Sequence, residues 1–407
     1  MSGGPGTDDQ REGTGGATVP SASSTPPPLG LYVHLPWCVR KCPYCDFNSH
    51  GLKGTLPEAA YLDALLADLE DDWPLVGGRV VATVFFGGGT PSLFRAESLG
   101  RLLDWLRDCD GLAADAEVTL EANPGTVERG RFADYRAAGI NRISLGVQSF
   151  DSRHLTHLGR IHGPREIAGS LDELARAGID NFNLDLMYGL PGQSVDEACA
   201  DLAAAIAAGP AHISHYQLTL EPNTLFWHER PTLPDDDATW SMQTRGSELL
   251  AAGGYEHYEV SAYAADGHRC DHNVNYWSYG DYVGVGAGAH GKLTIEGGTT
   301  ILRRSKLRHP TAYLAAAGGR VQTETRVGPG ERLFEFMLNA LRLRDGFDAD
   351  LFEARTGLSF DAARPRLVEA ESRGLIACRD DAWRPTALGR RFLNDLQGLF
   401  LPATADV

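Results

Sequence analysis

Short apolar segments alternate with amphipathic segments from about Leu29 to Glu221. The apolar segments predict six buried strands, and the segments between them predict helices. The predicted strands are Leu31–His34, Val81–Phe86, Val118–Glu121, Arg142–Val147, Asn183–Met187 and His215–Leu220. The predicted helices include Ala59–Leu69, Leu99–Leu106, Phe132–Ala138 and Ile167–Ala177, with Gly139 and Gly178 at two helix ends. Regular alternation of this kind indicates an α/β fold with parallel strands and right-handed crossovers.

Polar and glycine-rich segments follow the predicted strands one after another. They are the cysteine segment after the first strand, Gly87–Pro91 after the second, Glu121–Pro124 at the third, Gln148–Phe150 after the fourth, and Asp185 with Tyr188–Gly192 at the fifth. A doubly wound sheet and a barrel both fit the alternation of strands and helices. Because barrel active sites are built at the C-terminal ends of the strands, the placement favours a partial (β/α)6 TIM-like barrel.

The remaining segments complete the predicted domain organisation. Residues 1–28 are rich in Gly, Ser, Thr and Pro and predict a disordered tail, and residues 29–225 form the barrel core. Residues 226–329 are a less regular extension of the barrel that contains the motif His272–Trp277. Residues 330–400 predict a small C-terminal helical, winged-helix-like domain.

Length and charge exclude several classes of function. The 407 residues carry a net charge of −17, from 37 basic and 54 acidic side chains. This charge opposes binding to nucleic acid, and no basic recognition helix is present. No apolar run approaches a membrane span, and the N-terminus lacks a secretory apolar region, so free cysteines predict a cytoplasmic protein. A peripheral association with a membrane stays open.

Three of the seven cysteines, Cys38, Cys42 and Cys45, lie within eight residues. Three thiolates on one loop can bind three irons of a cubane iron–sulfur cluster and leave the fourth iron open for another ligand. A zinc site completed by His34 or His50 is one alternative, and a disulfide is another. The cluster is the favoured interpretation.

The cysteine loop resembles the CxxxCxxC loop of radical S-adenosylmethionine (radical SAM) proteins. In that superfamily the open iron binds S-adenosylmethionine, which an electron from the cluster cleaves to a 5′-deoxyadenosyl radical. Further segments resemble the coproporphyrinogen-oxidase-like family of this superfamily over residues 29 to about 400. They are Tyr32–Cys38, Phe85–Ser92, Glu121–Pro124, Gly146–Phe150, Asp185–Pro191, His272–Trp277 and the C-terminal domain.

The resemblance implies a role for each of a set of residues. Cys38, Cys42 and Cys45 would hold a [4Fe-4S] cluster, with Tyr32 beside the cluster and S-adenosylmethionine. Gly88, Gly89 and Thr90 would contact the methionine moiety, Glu121 the polar end of the cofactor and Asp185 its ribose, while Gln148 and Arg160 would line the pocket. Taken alone, the glycines could form an ordinary tight turn, the carboxylates could be caps, and Arg160 could be a solvated charge.

Two departures separate this chain from the dehydrogenases of the family. Phe47 occupies the position of their additional cysteine, and residues 1–28 do not resemble their longer ordered N-terminal segment. Both favour the heme chaperones of the family, without coproporphyrinogen dehydrogenase activity. This group implies heme as ligand, with His272 as the candidate axial ligand and Cys270 as a second candidate, although His272 alone could be structural.

The heme chaperone group also implies transfer of heme to acceptor hemoproteins such as respiratory-chain components, and cluster-dependent dimerisation is a plausible control. The alternative is an oxygen-independent coproporphyrinogen III dehydrogenase, which oxidatively decarboxylates its substrate. A third hypothesis is another radical SAM reaction, such as methyl transfer.

Overall fold

The structure, a computed structural model, describes residues 26–125, 131–298 and 300–402. The predicted disordered tail therefore lies, for residues 1–25, outside the described chain. The strands are β1 Leu29–Leu35, β2 Trp37–Cys38, β3 His50–Gly51, β4 Val81–Gly88, β5 Leu112–Ala122, β6 Arg142–Gln148, β7 Phe182–Tyr188, β8 His212–Gln217, β9 Glu256–Glu259, β10 Ala262–Ala264, β11 Asp281–Val285, β12 His290–Ile295, β13 Thr300–Lys306, β14 Val321–Arg326, β15 Ile376–Arg379 and β16 Ala382–Pro385.

The helices follow the strands in the order that the sequence predicts. They are α1 Glu58–Val76, α2 Ala96–Asp108, α3 Arg131–Ala138, α4 Ser152–His157, α5 Pro164–Ala177, α6 Val195–Ala207, α7 Leu225–Glu229, α8 Asp236–Ala252, α9 Asp271–Trp277, α10 Pro310–Ala315, α11 Pro329–Ala340, α12 Ala349–Thr356, α13 Arg364–Ser372, α14 Ala387–Arg391 and α15 Leu393–Gly398. Gly178 ends α5 in the left-handed conformation (φ +66°), as predicted, and Gly139 follows α3 with φ +108°.

The six predicted strands form the centre of one twelve-stranded sheet. Its strand order is β14-β13-β12-β11-β1-β4-β5-β6-β7-β8-β10-β9, and β1, β4, β5, β6, β7 and β8 are parallel neighbours. β11 adds a seventh parallel strand beside β1. The α/β class and the strand–helix barrel core are therefore confirmed.

Two strands begin three or more residues earlier than predicted, and the first of them is β5, which begins at Leu112 rather than at Val118. The last core strand is β8, His212–Gln217, rather than His215–Leu220. It starts earlier because buried His212 is hydrogen-bonded on both ring nitrogens, to Asn183 Oδ1 at 2.7 Å and Tyr258 Oη at 2.8 Å. These partners are distant in sequence, so the apolar pattern alone did not reveal them.

The segment between barrel and C-terminal domain is more regular than the sequence suggested. It extends the sheet at both edges, with β9 and β10 beyond β8, and with β12, β13 and β14 beyond β11. Buried Lys306 of β13 donates hydrogen bonds to Asp68 and Asp72 of α1, both at 2.7 Å. This ion cluster fixes the extension against the barrel, because separating the partners would leave buried charges unpaired.

The two faces of the parallel strands differ in polarity. Leu31, Val33 and Leu35 of β1 are fully buried in the main hydrophobic core, where the helices cover the sheet. The alternate residues Tyr32 and His34 point to the opposite face, because successive side chains of a strand alternate. That inner face carries polar side chains from every central strand, and the candidate site is built there.

The C-terminal domain has its own apolar core, which includes Phe336, Phe352 and Leu367. It consists of α11 to α15 and the antiparallel hairpin β15–β16, in which Ile376 pairs with Pro385. The hairpin follows α13 as the winged-helix-like pattern predicted. None of the helices in the described chain is long and apolar enough to cross a membrane.

Candidate functional site

The cysteine loop leaves the C-terminal end of β1 and is tied at its base. Trp37 pairs with His50 between the short strands β2 and β3. Lys41 Nζ donates hydrogen bonds to the carbonyl oxygens of Phe47 at 3.0 Å and Ser49 at 3.2 Å. The loop is therefore a compact unit at the barrel edge where the sequence predicted the active site.

The three cysteines line a cavity of about 150 Å³, which we call the cysteine cavity. Most of the residues that the resemblance assigned to S-adenosylmethionine line the same cavity: Gly88, Gly89, Thr90, Glu121, Gln148, Arg160 and Asp185. They come from β4, β5, β6 and β7 and from the segments that follow β4 and β6. The structure thus brings together, around Cys38, Cys42 and Cys45, all of the predicted cluster and cofactor residues except Tyr32.

The three thiols are suitable ligands for a metal centre that prefers sulfur. All seven cysteines are free, which argues against the disulfide. Burial raises the pKa of the Cys38 and Cys45 thiols, so their thiolates need a nearby positive centre. Arg160 Nη1 donates to Cys42 Sγ at 3.6 Å. Three converging thiols of this kind fit an iron–sulfur cluster with one open position.

Neither histidine of the zinc alternative completes the cysteine set. Both ring nitrogens of His34 are engaged, Nδ1 with Tyr32 Oη and Nε2 with the Asn48 carbonyl oxygen, each at 2.9 Å. His50 lies on the short strand β3 against His309, with ring centroids 5.2 Å apart. Neither ring lines the cysteine cavity.

Glycine is required at two positions of the cavity wall. Gly88 has φ +115°, and a Cβ atom there would lie 2.6 Å from the His34 ring. A Cβ atom on Gly89 would lie 2.5 Å from the Trp37 carbonyl oxygen. The glycines therefore do more than form a tight turn. Because they lack a Cβ atom, the backbone of this segment can approach the cysteine loop closely.

Two partly buried carboxyl groups, Glu121 and Asp185, face the cavity. Burial and the neighbouring Asp185 raise the pKa of Glu121 to about 8, against the hydrogen bond that it accepts from the Gly88 N–H at 3.1 Å. Burial also raises the pKa of Asp185, which accepts hydrogen bonds from Asn183 at 2.8 Å and Ser144 at 3.2 Å. A cationic ligand would favour the ionised carboxylates.

Asn123 and Tyr216 also line the cysteine cavity and were not among the predicted site residues. Arg160 Nη2 donates to Asn123 Oδ1 and, at 2.6 Å, to the Gly146 carbonyl oxygen. Tyr216 Oη donates to Gln148 Oε1 at 2.6 Å, and Gln148 has the uncommon φ of +69°. Asn123 could have been identified from its place two residues after Glu121, whereas Tyr216 gave no local signal.

A second cavity of about 750 Å³, here the aromatic cavity, adjoins the first. Its lining includes the rings of Tyr32, His34, Phe85, His272, Tyr276, Tyr282 and His290, together with Arg308. Phe47, Gly88 and Glu121 line both cavities. We call these three residues the shared wall. Tyr32 lines the aromatic cavity and not the cysteine cavity. On β1 it is the inward-facing residue before His34, so it lies deeper in the barrel.

His272 lies at the inner end of the aromatic cavity on helix α9. Its backbone N–H donates to Glu117 Oε1 at 3.0 Å, and its ring lies 5.2 Å from that of Phe85. Burial lowers the pKa of His272 to about 4, so the imidazole is neutral. Nδ1 lies 2.9 Å from Thr83 Oγ1. With Nδ1–H donating to Thr83, the Nε2 lone pair is available to a metal.

The other residues of the motif divide between the cavity and its surroundings. Asn273 and Tyr276 line the cavity with His272, but Trp277 lies under Arg342, 4.3 Å from the guanidinium carbon. Cys270 is fully buried, and its Sγ donates to Glu117 Oε1 at 3.5 Å. Of the two candidate ligands, His272 lines the aromatic cavity and Cys270 does not.

Comparison with known proteins agrees with this arrangement. Residues 32–204 match the Radical SAM superfamily, and residues 328–392 match the HemN C-terminal domain. The heme chaperone HemW of Escherichia coli (strain K12) is 52% identical over 375 residues, which cover 92% of this chain and 98% of that protein. The chain belongs to the HemW family. Its membership of the radical SAM superfamily implies a [4Fe-4S] cluster and S-adenosylmethionine.

One more distant HemW relative and one solved structure extend the comparison. HemW of Mycobacterium tuberculosis (strain ATCC 25618 / H37Rv) is 38% identical over 373 residues, 89% of this chain and 92% of that protein. The coproporphyrinogen III oxidase HemN from Escherichia coli superposes with a TM-score of 0.78 at 22% identity, covering 92% of this chain and 90% of HemN. At that identity the likeness establishes the shared fold.

Proposed function

We propose that this protein binds heme in the aromatic cavity and transfers it to acceptor hemoproteins. The observation that carries the proposal is the neutral imidazole of His272, oriented by Thr83 and placed at the end of a cavity of about 750 Å³ that is lined by flat aromatic rings. Such a cavity is large enough for a porphyrin-sized ligand. The names of the HemW relatives support the same function.

The aromatic cavity supplies the other contacts that heme needs. Phe85 and Tyr32 present flat surfaces, with ring centroids 6.4 Å apart, for the macrocycle. Arg308 lines the same cavity and can pair with an anionic propionate. His272 supplies the axial nitrogen through Nε2.

The cysteine cavity would hold the [4Fe-4S] cluster on Cys38, Cys42 and Cys45. S-adenosylmethionine would lie against Gly88, Gly89, Thr90, Glu121, Gln148, Arg160 and Asp185. When bound, the cluster and S-adenosylmethionine supply one-electron chemistry. The chain's own residues exclude water, orient the ligand through the Gly88–Thr90 backbone, and neutralise its positive charge with Glu121 and Asp185.

The second candidate function is oxidative decarboxylation of coproporphyrinogen III. The observation that favours it is the shared wall, because a porphyrinogen in the aromatic cavity would lie next to S-adenosylmethionine at Gly88 and Glu121. Phe47 argues against it. Its side chain is 62% exposed and occupies the position of the dehydrogenases' additional cysteine.

The proposal includes three points about the cellular setting. The free cysteines are the basis for a cytoplasmic location. Peripheral contact with a membrane would bring the protein to respiratory-chain acceptors. The exposed side chains of Val39 and Phe47 on the cluster loop offer an apolar contact for a cluster-dependent dimer.

Anaerobic assays of the reconstituted protein separate the two functions. We expect heme to bind saturably and to move to a heme-free acceptor protein, with no protoporphyrinogen IX formed from coproporphyrinogen III under reducing conditions with S-adenosylmethionine. Sustained formation of protoporphyrinogen IX together with 5′-deoxyadenosine would overturn the chaperone function in favour of the dehydrogenase.

A further inference from the structure

Four arginines converge on a cleft far along the chain from the cysteine loop. Arg344, Arg379, Arg384 and Arg390 line a cavity of about 670 Å³, here the arginine cleft, between β9 and the C-terminal domain. None of the four lines the cysteine or aromatic cavity. In a chain with a net charge of −17, such a concentration of positive charge does not reflect the overall composition.

The cleft lies where the barrel extension meets the C-terminal domain, and backbone contacts fix its position. The loop that carries Arg344 is fixed on both sides by bridges, from Leu343 to Glu259 of β9 and from Phe347 to Trp383 of β16. The Arg344 N–H donates to the Tyr258 carbonyl oxygen at 2.9 Å. The backbone positions of the arginines are thus set by neighbouring strands.

Three of the guanidinium groups are held by neutral acceptors. Arg344 Nη1 donates to His257 Nδ1 at 2.5 Å, Arg384 Nε to the Asp345 carbonyl oxygen at 3.0 Å, and Arg390 Nη1 to the Pro385 carbonyl oxygen at 2.8 Å. An acceptor of this kind orients a guanidinium without neutralising its charge. Because each guanidinium has five N–H donors, the others stay available to a ligand.

Two carboxylates, Glu256 and Asp345, also line the cleft, and both are paired with another arginine. Arg269 donates from Nη2 to Glu256 and from Nη1 to Asp345, both at 2.7 Å. Within the described chain, none of the four cleft arginines has a carboxylate oxygen within 4.0 Å of its side-chain nitrogens. The four cleft arginines therefore exceed the two carboxylates in the lining, and those carboxylates are paired with Arg269 rather than with any of the four.

The histidine at the cleft is a neutral support. Its ring is stacked on Tyr263, with centroids 4.1 Å apart, and Nε2 lies 3.2 Å from the Val260 carbonyl oxygen. Burial and the adjacent Arg344 lower the pKa of His257 to about 4. Burial, with repulsion from Arg344, also lowers the pKa of Arg390, and a bound anion would relieve that repulsion.

We propose that the arginine cleft binds a soluble oligophosphate, a ligand with two or more closely spaced phosphate groups. Guanidinium groups bind phosphate oxygens in pairs of parallel hydrogen bonds, and four of them in one concave site suit several adjacent phosphates. A single carboxylate would leave most of this positive charge uncompensated. The site is separate from the cluster and heme functions proposed above.

Titration calorimetry with inorganic tripolyphosphate tests the proposal on the full-length protein. We expect one saturable site whose affinity falls as salt is raised. The double variant Arg344→Gln/Arg390→Gln should bind about tenfold more weakly or worse, since it removes two charge-assisted hydrogen-bond donors. Arg379→Gln, at an exposed position, gives a milder second test in which folding is not at risk.

The matched control is Arg326→Gln/Arg364→Gln, which removes two exposed arginines that are paired with Glu296 and Asp361. It should bind like the wild type. Absence of saturable binding by the wild type, or an equal loss in the control, would overturn the proposal. So would preferential binding to oligoglutamate, or to vesicles that contain phosphatidylglycerol, in the absence of tripolyphosphate binding.

Discussion

The two central cavities share a wall but differ in construction. The cysteine cavity is small, about 150 Å³, and is formed by the cysteine loop together with residues of β4 to β8, with thiols, carboxyl groups and glycines among its lining. The aromatic cavity is about five times larger, at about 750 Å³, and is lined mainly by rings. The first suits a compact charged cofactor and the second a broad, flat ligand.

The difference shows how one barrel forms two adjoining cavities of unlike chemistry. Gly88 and Glu121 face both cavities. Hydrogen bonds from the Tyr32 hydroxyl to the His34 ring, and from that ring to the Asn48 carbonyl oxygen, connect the aromatic cavity to the cysteine loop. The two cavities are therefore neighbours that share part of their lining, and each also has groups of its own, the thiols in one and His272 in the other. Substitutions on either side of the wall test this separation, and the predictions below run from the largest expected effect to the smallest.

Cys38→Ala removes one of the three thiols and should abolish stable cluster assembly. The expected result is loss of the cluster's visible absorbance and bound iron after anaerobic reconstitution, with heme binding retained within about threefold. Cys109→Ala, at an exposed cysteine outside both cavities, is the matched control. Loss of heme binding together with the cluster would show that the two sites are one functional unit.

Glu121→Gln should alter the dependence of stability on pH. Burial raises the pKa of Glu121 from 4.5 to about 8, so the folded protein holds this proton more tightly than the unfolded chain does. Stability is therefore lost as pH rises from about 4.5 to about 8. The variant should gain roughly 3 kcal/mol relative to the wild type between pH 5 and pH 8.

Urea unfolding of the ligand-free protein at both pH values checks this prediction, with Asp266→Asn at an exposed carboxyl as control. If the stability difference between variant and wild type is the same at pH 5 and pH 8, Glu121 is not the buried proton-holding group described here.

Gly88→Ala introduces a methyl group into the shared wall. The added Cβ atom would lie 2.6 Å from the His34 ring at a backbone φ of +115°. We expect the free energy of unfolding to fall by about 2 kcal/mol, and binding in both cavities to weaken. Gly169→Ala in α5, where an added Cβ atom meets nothing within 4 Å, should leave both unchanged or increase stability.

Tyr32→Phe removes one hydroxyl group from the link between the cavities. His34 Nδ1 loses its partner at 2.9 Å, which should lower the free energy of unfolding by about 1 kcal/mol. Heme affinity should change by less than about threefold, because the ring surface remains. A loss of heme affinity beyond tenfold would instead identify the phenol oxygen as a heme ligand.

The sequence predicted the central strands and helices well, because apolar periodicity is a local property. β6 and β7 match their predicted spans to within one residue at each end. β13 was not predicted, since it carries Arg303, Arg304 and Lys306. Lys306 is buried in this strand only because Asp68 and Asp72 of α1, more than 230 residues away, compensate its charge.

Some residues of the candidate site could be predicted from the sequence more directly than others. The cysteine spacing indicated three candidate ligands directly, and the family resemblance supplied Glu121 and Asp185; the structure places all five around one cavity. The division into two cavities could not be predicted, because it depends on how deep Tyr32 and His272 lie within the barrel. Tyr216 also escaped prediction, since its role arises from a hydrogen bond to Gln148, 68 residues away.

The central claim is that His272 binds heme iron in the aromatic cavity, and an anaerobic heme titration followed at the Soret band tests it most directly. Wild type and His268→Ala, at an exposed histidine near the motif, should show the same saturating Soret shift. His272→Ala should bind heme at least about tenfold more weakly, with an altered Soret position that added imidazole restores. Identical titration curves for His272→Ala and wild type would contradict the account.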